Sequence, residues 1–250
     1  MENNLIFDLG FHIGQDTEFY LKKGFKVVAV EANPDLCFAG KEKFKSYIEN
    51  SQLVLINKAV SNNNEIIKFF IHPTHKDWSS CFKEFIRTEN EKLIEIEVVG
   101  ITINELINEF GTPRYMKVDI EGADILVAQQ LSELKQNKPL FVSFETSRRD
   151  FAKIFSYLYL AGYSSYQLIN QLKYDGLQIE NINKEGINIS HTFEFGSSGI
   201  FGNDLSESQW ISYEELLSRY IKYIDLRTLD QENLSMGWLD VHAKLDSKYL

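Results

Sequence analysis

Cysteine is nearly absent from this 250-residue chain: Cys37 and Cys81 are the only two, and neither has a partner at metal-knuckle spacing. That speaks against a disulfide framework and a structural zinc site, and the pair reads as buried thiols in a reducing compartment. Long apolar runs are missing too. No stretch approaches the ~18 to 20 residues needed to cross a bilayer, and Met1 to Asp8 carries neither a basic region nor an extended apolar segment. The expectation is a cytoplasmic protein with no membrane partner. Basic charge is the third scarcity. With 26 Lys and Arg against 36 Asp and Glu, the formal net charge is -10 and no basic run offsets it. A polyanion would be repelled, so nucleic acid is not an expected partner.

What is present is enough apolar material for one good core, 44% hydrophobic and 13% aromatic residues. Strand and helix signals alternate. Leu5 to Asp8 reads as a strand, and Gly14 to Lys23 as a helix closed by Gly24. Lys26 to Glu31 reads as a second strand, Asp35 to Tyr47 as a helix, and Gln52 to Val60 as a third strand. The alternation lapses over Ile66 to Ile71 and Leu93 to Val99, extended segments flanking a polar stretch, His72 to Glu91, expected to be partly helical or to form part of the site. It resumes with helix Ile103 to Glu109, strand Tyr115 to Asp119, helix Ala123 to Leu134 and strand Leu140 to Phe144. Helix Asp150 to Leu160 and strand Ser165 to Leu168 follow; beyond Asn170 come Gly, Asn and Ser-rich turns and a helix from Tyr213 to Ile224. The fold class expected is α/β, a Rossmann-like, mostly parallel sheet with helices on both faces and a C-terminal extension.

The loop after the first strand runs Asp8-Leu9-Gly10-Phe11-His12-Ile13-Gly14-Gln15-Asp16-Thr17. In such sheets ligands bind beyond the strand carboxyl ends, and two glycines permit a tight turn and close backbone approach. The spacing is not the G-x-G-x-x-G of a dinucleotide site, and Asp8 and Asp16 crowd the place a pyrophosphate would take. S-adenosylmethionine is cationic and lacks phosphate, so carboxylates there become favourable. Glu31, at the end of the second strand, is placed to accept hydrogen bonds from ribose hydroxyls.

With these residues in view the chain resembles the FkbM family of methyltransferases. The matching segments are Asp8 to Thr17, Val30-Glu-Ala-Asn-Pro34, Lys117-Val-Asp-Ile-Glu-Gly-Ala-Asp124, Gly196 to Gly202 and Gly237 to Ala243. The resemblance implies a class I methyltransferase fold, S-adenosylmethionine as donor, and O-methylation of a sugar or secondary-metabolite hydroxyl. Phe11-His12 departs from the small or amide residues, such as Ala-Asn, that the family commonly has there.

The candidate donor-binding set is Asp8, Gly10, His12, Gly14, Thr17, Glu31, Ala32, Ala59 and Asp119; the candidate catalytic set is Asp119, Glu145 and His242. A hydroxyl must lose its proton during transfer, and Asp119 and Glu145 end successive strands at the expected crevice. His242 shares a strand face with Trp238 and Asp240, the latter able to orient its ring. Glu121 reads equally as a cleft residue or a helix-start acid, Asp124 as a cap, and Ser147 as the cap of the next helix. His72, His75 and Asp77 match no familiar metal signature, and a divalent ion is not favoured. Gly196 to Gly202 could cradle an acceptor phosphate, which Arg148 and Arg149 could also contact.

Residues 1–250 are thus expected to form one methyltransferase domain, 1–170 the donor-binding core and 171–250 completing the acceptor site. The acceptor expected is a small molecule, a nucleotide-linked sugar or glycan hydroxyl. Ile, Lys and Asn abundance points to an AT-rich bacterial genome and, by analogy, to capsule or lipopolysaccharide sugars. The rival readings are an NAD(P)-dependent oxidoreductase, which shares the fold and the ribose-binding acid, and a catalytically silent binding domain.

Overall fold

The computed structural model describes residues 4–88, 91–229 and 236–249; Met1, and residues 89–90 of the polar stretch singled out in the sequence, lie outside them. In chain order the elements are β1 (Leu5–Leu9), α1 (Gln15–Lys22), β2 (Lys26–Val30), α2 (Pro34–Lys43), α3 (Lys45–Glu49), β3 (Leu53–Ile56), β4 (Ala59–Val60), β5 (Ile66–Ile71), β6 (Ile94–Ile101), α4 (Ile103–Phe110), β7 (Tyr115–Val118) and α5 (Asp124–Glu133). Then follow β8 (Phe141–Thr146), α6 (Phe151–Ala161), β9 (Tyr163–Asn170), β10 (Gln178–Ile182), β11 (Ile189–Thr192), α7 (Tyr213–Leu229) and β12 (Leu239–Leu245).

Among the described residues, seven strands form the main sheet in the order β3-β2-β1-β7-β8-β12-β9. Only β12 runs against the others, pairing antiparallel with β8 and β9. The chain moves outward from β1 to β2 and β3, then returns to lay β7 on the other side of β1. The topological switch point is therefore between β1 and β7, and that is where such sheets open a crevice.

Both faces are covered. One carries α4, α5, α6 and α7, whose Leu106, Val127, Ile154, Phe155 and Leu216 pack on Val118, Val142, Phe144 and Val241. The other carries α1 and α2 with a C-terminal cover, Phe19, Tyr20 and Cys37 meeting Phe193 and Phe201 over Ala29 and Tyr115. Local chemistry starts the helices where the sequence placed them. Asn33 accepts the Asp35 N–H ahead of Pro34, and Thr102 and Glu105 form a reciprocal capping box on α4.

Three expectations are corrected. The helix expected over Asp35 to Tyr47 breaks at Phe44, where the ring turns inward and packs edge-on against Phe11. The strand expected over Gln52 to Val60 is two: β3 stays in the main sheet, while β4 pairs with β6 in a three-stranded sheet with β5. The chain turns between them at Asn57, whose amide donates to the Glu31 and Ala32 carbonyls. The turn-rich region after Asn170 contains a hairpin, β10–β11. Ile179, Ile182 and Ile189 pack onto the cluster around Phe19 and Phe193, while Gln178, Glu180, Ser190 and Thr192 are exposed.

Candidate active site

Beyond β1 the backbone takes left-handed conformations at Gly10 (φ 93°), His12 (φ 51°) and Gly14 (φ 80°) before α1 begins. A side-chain carbon on Gly10 would overlap the Asp119 carbonyl oxygen, so the loops after β1 and β7 can approach only because residue 10 is glycine. Residue 12 needs a side chain tolerant of positive φ, a property histidine shares with asparagine. That accounts for the departure from the family's amide at this position.

The His12 N–H donates to Glu31 Oε2 and the Asn33 N–H to Oε1, both at 2.8 Å. Glu31 is thus fixed at the end of β2 while each oxygen keeps acceptor capacity. Burial pushes its carboxyl up to about 7 despite those bonds.

A polar row crosses the sheet beneath the loop. Register sets Asp8 beside Lys117, Lys117 beside Ser143, Ser143 beside His242, and His242 beside Gln167. In-register neighbours share a face. Lys117 Nζ lies 3.6 Å from Asp8, 3.4 Å from Asp16 and 3.4 Å from Asp119, and donates to the Gly10 carbonyl at 3.2 Å. Thr17 donates to Asp8 Oδ2 at 2.5 Å, and Asp16 Oδ1 accepts the Ser198 N–H at 2.9 Å. Burial opposes the charge on Lys117, but Asp8, Asp119 and Asp16 outweigh it and hold the ammonium well above its usual range. Asp8 is pushed up to about 6 by burial against the pull of Lys117.

A second acidic row lies toward the cavity. Asp240 is in register with Glu145 and accepts from the Gln171 side-chain amide. The carboxylates of Asp119, Glu121 and Glu145 come within 4.8 Å of one another, the one such grouping among the described residues close enough to hold a cation. Glu121 is held at φ 51° while Asp124 accepts the N–H groups of Ile120 (3.1 Å) and Gly122 (2.9 Å). Asp124 therefore clamps the loop before α5 rather than capping the helix, which has no side-chain cap. Burial, then Asp119, raises Glu121 to about 9, Asp240 to about 8 and Glu145 well above the carboxylate range. Glu121 accordingly carries a proton at neutral pH.

These groups open on a cavity of about 1050 Å³ lined by Gly10, His12, Glu31, Ala32, Ala59, Asp119 and Glu145. That volume lies at the upper end for small-molecule sites. Asp8, Gly14, Thr17 and His242 do not line it. Asp8 and Thr17 stand one layer behind the loop, and Gly14 starts α1 against the Phe11 and Phe44 rings. His242 is buried with its ring parallel to Tyr115 at 6.4 Å, and burial lowers its imidazole to about 3.

Other residues raised by the sequence are placed differently. Ser147 does not cap α6; Asp150 accepts its N–H at 3.2 Å and its hydroxyl at 2.6 Å, closing the preceding turn. Gly196 to Gly202 is packed down as cover: Phe201 stacks on Tyr115 at 4.5 Å, and the Ser198 amide is spent on Asp16. His72 Nδ1 accepts the His75 N–H at 2.9 Å, and His75 stacks on Trp78 at 4.1 Å, so the loop histidines serve local structure.

Lys117 escaped the sequence reading, whereas the 72–88 segment lies within the polar stretch expected to be partly helical or to form part of the site. Lys117 signalled itself as a lone lysine alternating with Tyr115 and Asp119 in an apolar strand. The far wall is the 72–88 segment, pinned where Ser80 donates to the Glu121 carbonyl at 2.5 Å, Arg149 donates to the Glu84 carbonyl, and the Phe85 ring fills the space a side chain at Gly122 would need.

Residues 8–165, well over half of the chain, match the family model described as the methyltransferase FkbM domain. The chain belongs to the FkbM methyltransferase family. Its methyl donor is S-adenosylmethionine, and the site of this FkbM chain suits that group. Bare backbone at Gly10 lines the cavity beside Glu31 and Asp119, an acidic setting that favours a cationic, phosphate-free nucleoside. No curated protein matches the chain. Among solved structures it is similar to precorrin-6y C5,15-methyltransferase from Geobacter metallireducens GS-15, at 9% identity over 98% of this chain and 82% of that one, TM-score 0.43. It is also similar to a TehB-like SAM-dependent methyltransferase from Corynebacterium glutamicum, at 9% identity over 76% and 70%, TM-score 0.36. A geranyl diphosphate methyltransferase in complex with SAM aligns at 9% identity over 98% and 79%, TM-score 0.41. Likeness at that level carries no argument about the FkbM site. Among the described residues no helix is long and apolar enough to cross a membrane.

Proposed function

We propose that this FkbM protein is an O-methyltransferase acting on a hydroxyl of a sugar or glycan precursor, a nucleotide-linked sugar by preference. The setting we assign is cytoplasmic, in the assembly of a bacterial surface polysaccharide such as capsule or lipopolysaccharide. The observation that carries the reading is the grouping of Asp119, Glu121 and Glu145 within 4.8 Å of one another in the cavity that the glycine loop also lines.

When bound, S-adenosylmethionine supplies an activated methyl group. Gly10, His12, Glu31, Ala32, Ala59 and Asp119 hold it from the cavity wall, with Asp8, Gly14 and Thr17 fixing the loop from behind. The acceptor hydroxyl gives up its proton to a carboxylate oxygen of Asp119, which Glu145 orients and relieves by hydrogen bonding. The 72–88 wall keeps water from the reacting groups. His242 supports the floor through Tyr115 and takes no part in proton transfer. In this reading residues 1–170 and 171–250 work as one domain, Gln171, Phe195, Gly196 and Trp238 closing the acceptor side.

The test is incubation of the protein with S-adenosylmethionine and a panel of nucleotide sugars, following S-adenosylhomocysteine release and the methylated product by mass spectrometry. Turnover with at least one sugar hydroxyl is expected. Donor binding without turnover on any hydroxyl, or methyl found on nitrogen, would overturn the assignment.

A further inference from the structure

Lys117 sets an ammonium among the carboxylates of the site floor. Its side chain is 6% exposed, and its Nζ contacts carboxylates brought by three different segments: Asp8 from β1, Asp16 from α1 and Asp119 from the end of its own strand. It also donates to the Gly10 carbonyl, the point of closest approach between the loops after β1 and β7. Three acids packed this closely, Asp8 and Asp16 buried and Asp119 partly so, repel one another, and a low-dielectric interior does little to screen them. Without an opposing charge the loop and the start of α1 would be pushed apart.

We propose that Lys117 is the positioning residue of the donor pocket: it gathers Asp8, Asp16 and Asp119 around one ammonium and ties the glycine loop to them, so that the floor presents net negative charge to a cationic donor. The inference rests on the methyltransferase reading of the same cavity. Lysine suits the task because its compact ammonium has three donors, which can point at separate partners. The register supports the assignment. Lys117 stands between Asp8 and Ser143 in the cross-sheet row, so the same pleat that aims it at the loop also places Asp8 beside it.

The balance of charge predicts how donor binding depends on pH. The groups facing the ammonium are Asp8 from β1, Asp16 from α1, Glu31 beyond β2, Asp119 at the end of β7 and Asp240 from β12, while Tyr20 of α1 faces Asp8 and Asp16 and Glu145 faces Asp119. Asp8 titrates near pH 6 with Lys117 alongside, burial being the larger influence. Removing the ammonium leaves burial and like charge unopposed, so Asp8 would take up a proton at higher pH and stop attracting a cation.

The experiment is calorimetric titration of the full chain with S-adenosylmethionine between pH 5.5 and pH 9, comparing wild type, Lys117→Met and the double variant Lys117→Met/Asp16→Asn. Asparagine at 16 keeps an oxygen for the Ser198 N–H while removing one charge. The single variant is expected to bind about tenfold more weakly at neutral pH, with its acid limb moved up by about one pH unit or more. The double variant is expected to recover part of the affinity. Wild-type protein that binds no donor defeats the methyltransferase reading and this inference with it. Normal binding by wild type and an unchanged pH profile in Lys117→Met overturns the inference alone. So does failure of both variants to fold, or a double variant weaker than the single one, since either outcome assigns Lys117 to the fold.

Discussion

Glu145 of β8 and Asp240 of β12 are direct cross-strand neighbours, two carboxyl groups side by side on one face of the sheet where the cavity opens. Acids so close, with Asp119 adjoining, persist because protons replace charge: burial and Asp119 hold Glu145 well above the carboxylate range and raise Asp240 to about 8.

The first expectation concerns the Asp119–Glu145 pair. Asp119→Asn should lower kcat by roughly a hundredfold or more, the usual weight of a general base. Glu145→Gln imitates the protonated acid and can still donate to Asp119, so it should cost only about tenfold, whereas Glu145→Ala should approach the Asp119 loss. Steady-state rates read from S-adenosylhomocysteine release decide this. Equal losses in Glu145→Gln and Glu145→Ala would show that hydrogen bonding to Asp119 is not what Glu145 supplies.

A second concerns stability and pH. Asp124 and Glu31 titrate near 7, Asp240 near 8 and Glu121 near 9 in the folded chain, against 3.8 or 4.5 ordinarily, burial being the leading cause in each. The folded state then retains protons that the unfolded state has lost, so the stability they contribute disappears as pH rises through those values. His242 works in the other direction: with its imidazole lowered to about 3 from 6.5, it costs stability only below 6.5. Thermal unfolding should therefore show Tm falling steadily from pH 6.5 to pH 9, and Asp240→Asn should flatten the upper part of that decline. A Tm that rises across this range contradicts the burial argument.

Glycines 10 and 176 offer a controlled comparison. Both have positive φ, 93° and 70°, but a Cβ at 176 meets nothing within 4 Å while one at 10 overlaps the Asp119 carbonyl. Gly176→Ala should cost about 1 kcal/mol of backbone strain and leave donor binding intact. Gly10→Ala should cost several times as much and weaken S-adenosylmethionine binding by tenfold or more, about 1.4 kcal/mol or beyond. Denaturant unfolding and calorimetry on the two variants make the comparison; similar donor affinities would remove Gly10 from the donor site.

The C-terminal cover depends on a buried ion pair. Arg114, just before β7, meets Glu185 in a two-pronged contact with Nε to Oε2 at 2.6 Å and Nη2 to Oε1 at 2.9 Å, and the glutamate is 1% exposed. Glu185→Ala removes both prongs of the ion pair and the acceptor of the Asn203 N–H, with an expected loss of about 3 kcal/mol. Chemical denaturation measures it, and a change below 1 kcal/mol would mean that solvent reaches Arg114 readily.

Much of this protein was written along the chain. Helix caps such as Asn33-Pro34 and the Thr102–Glu105 box act over a few residues, and strands such as Lys26–Val30 declare themselves by composition. For that reason the alternating α/β order and the glycine loop could be read before any contact was known. The acids at strand ends were likewise legible, because a parallel sheet sends every such end to one side.

Only the fold could decide which of those residues meet. Lys117 becomes the hub of three carboxylates through a register between β1 and β7 that joins residues more than a hundred positions apart. The same cross-strand geometry puts Glu145 next to Asp240 and buries His242 behind Tyr115, away from the cavity. Such pairings arise from close packing among distant segments, and no local preference of a peptide encodes them.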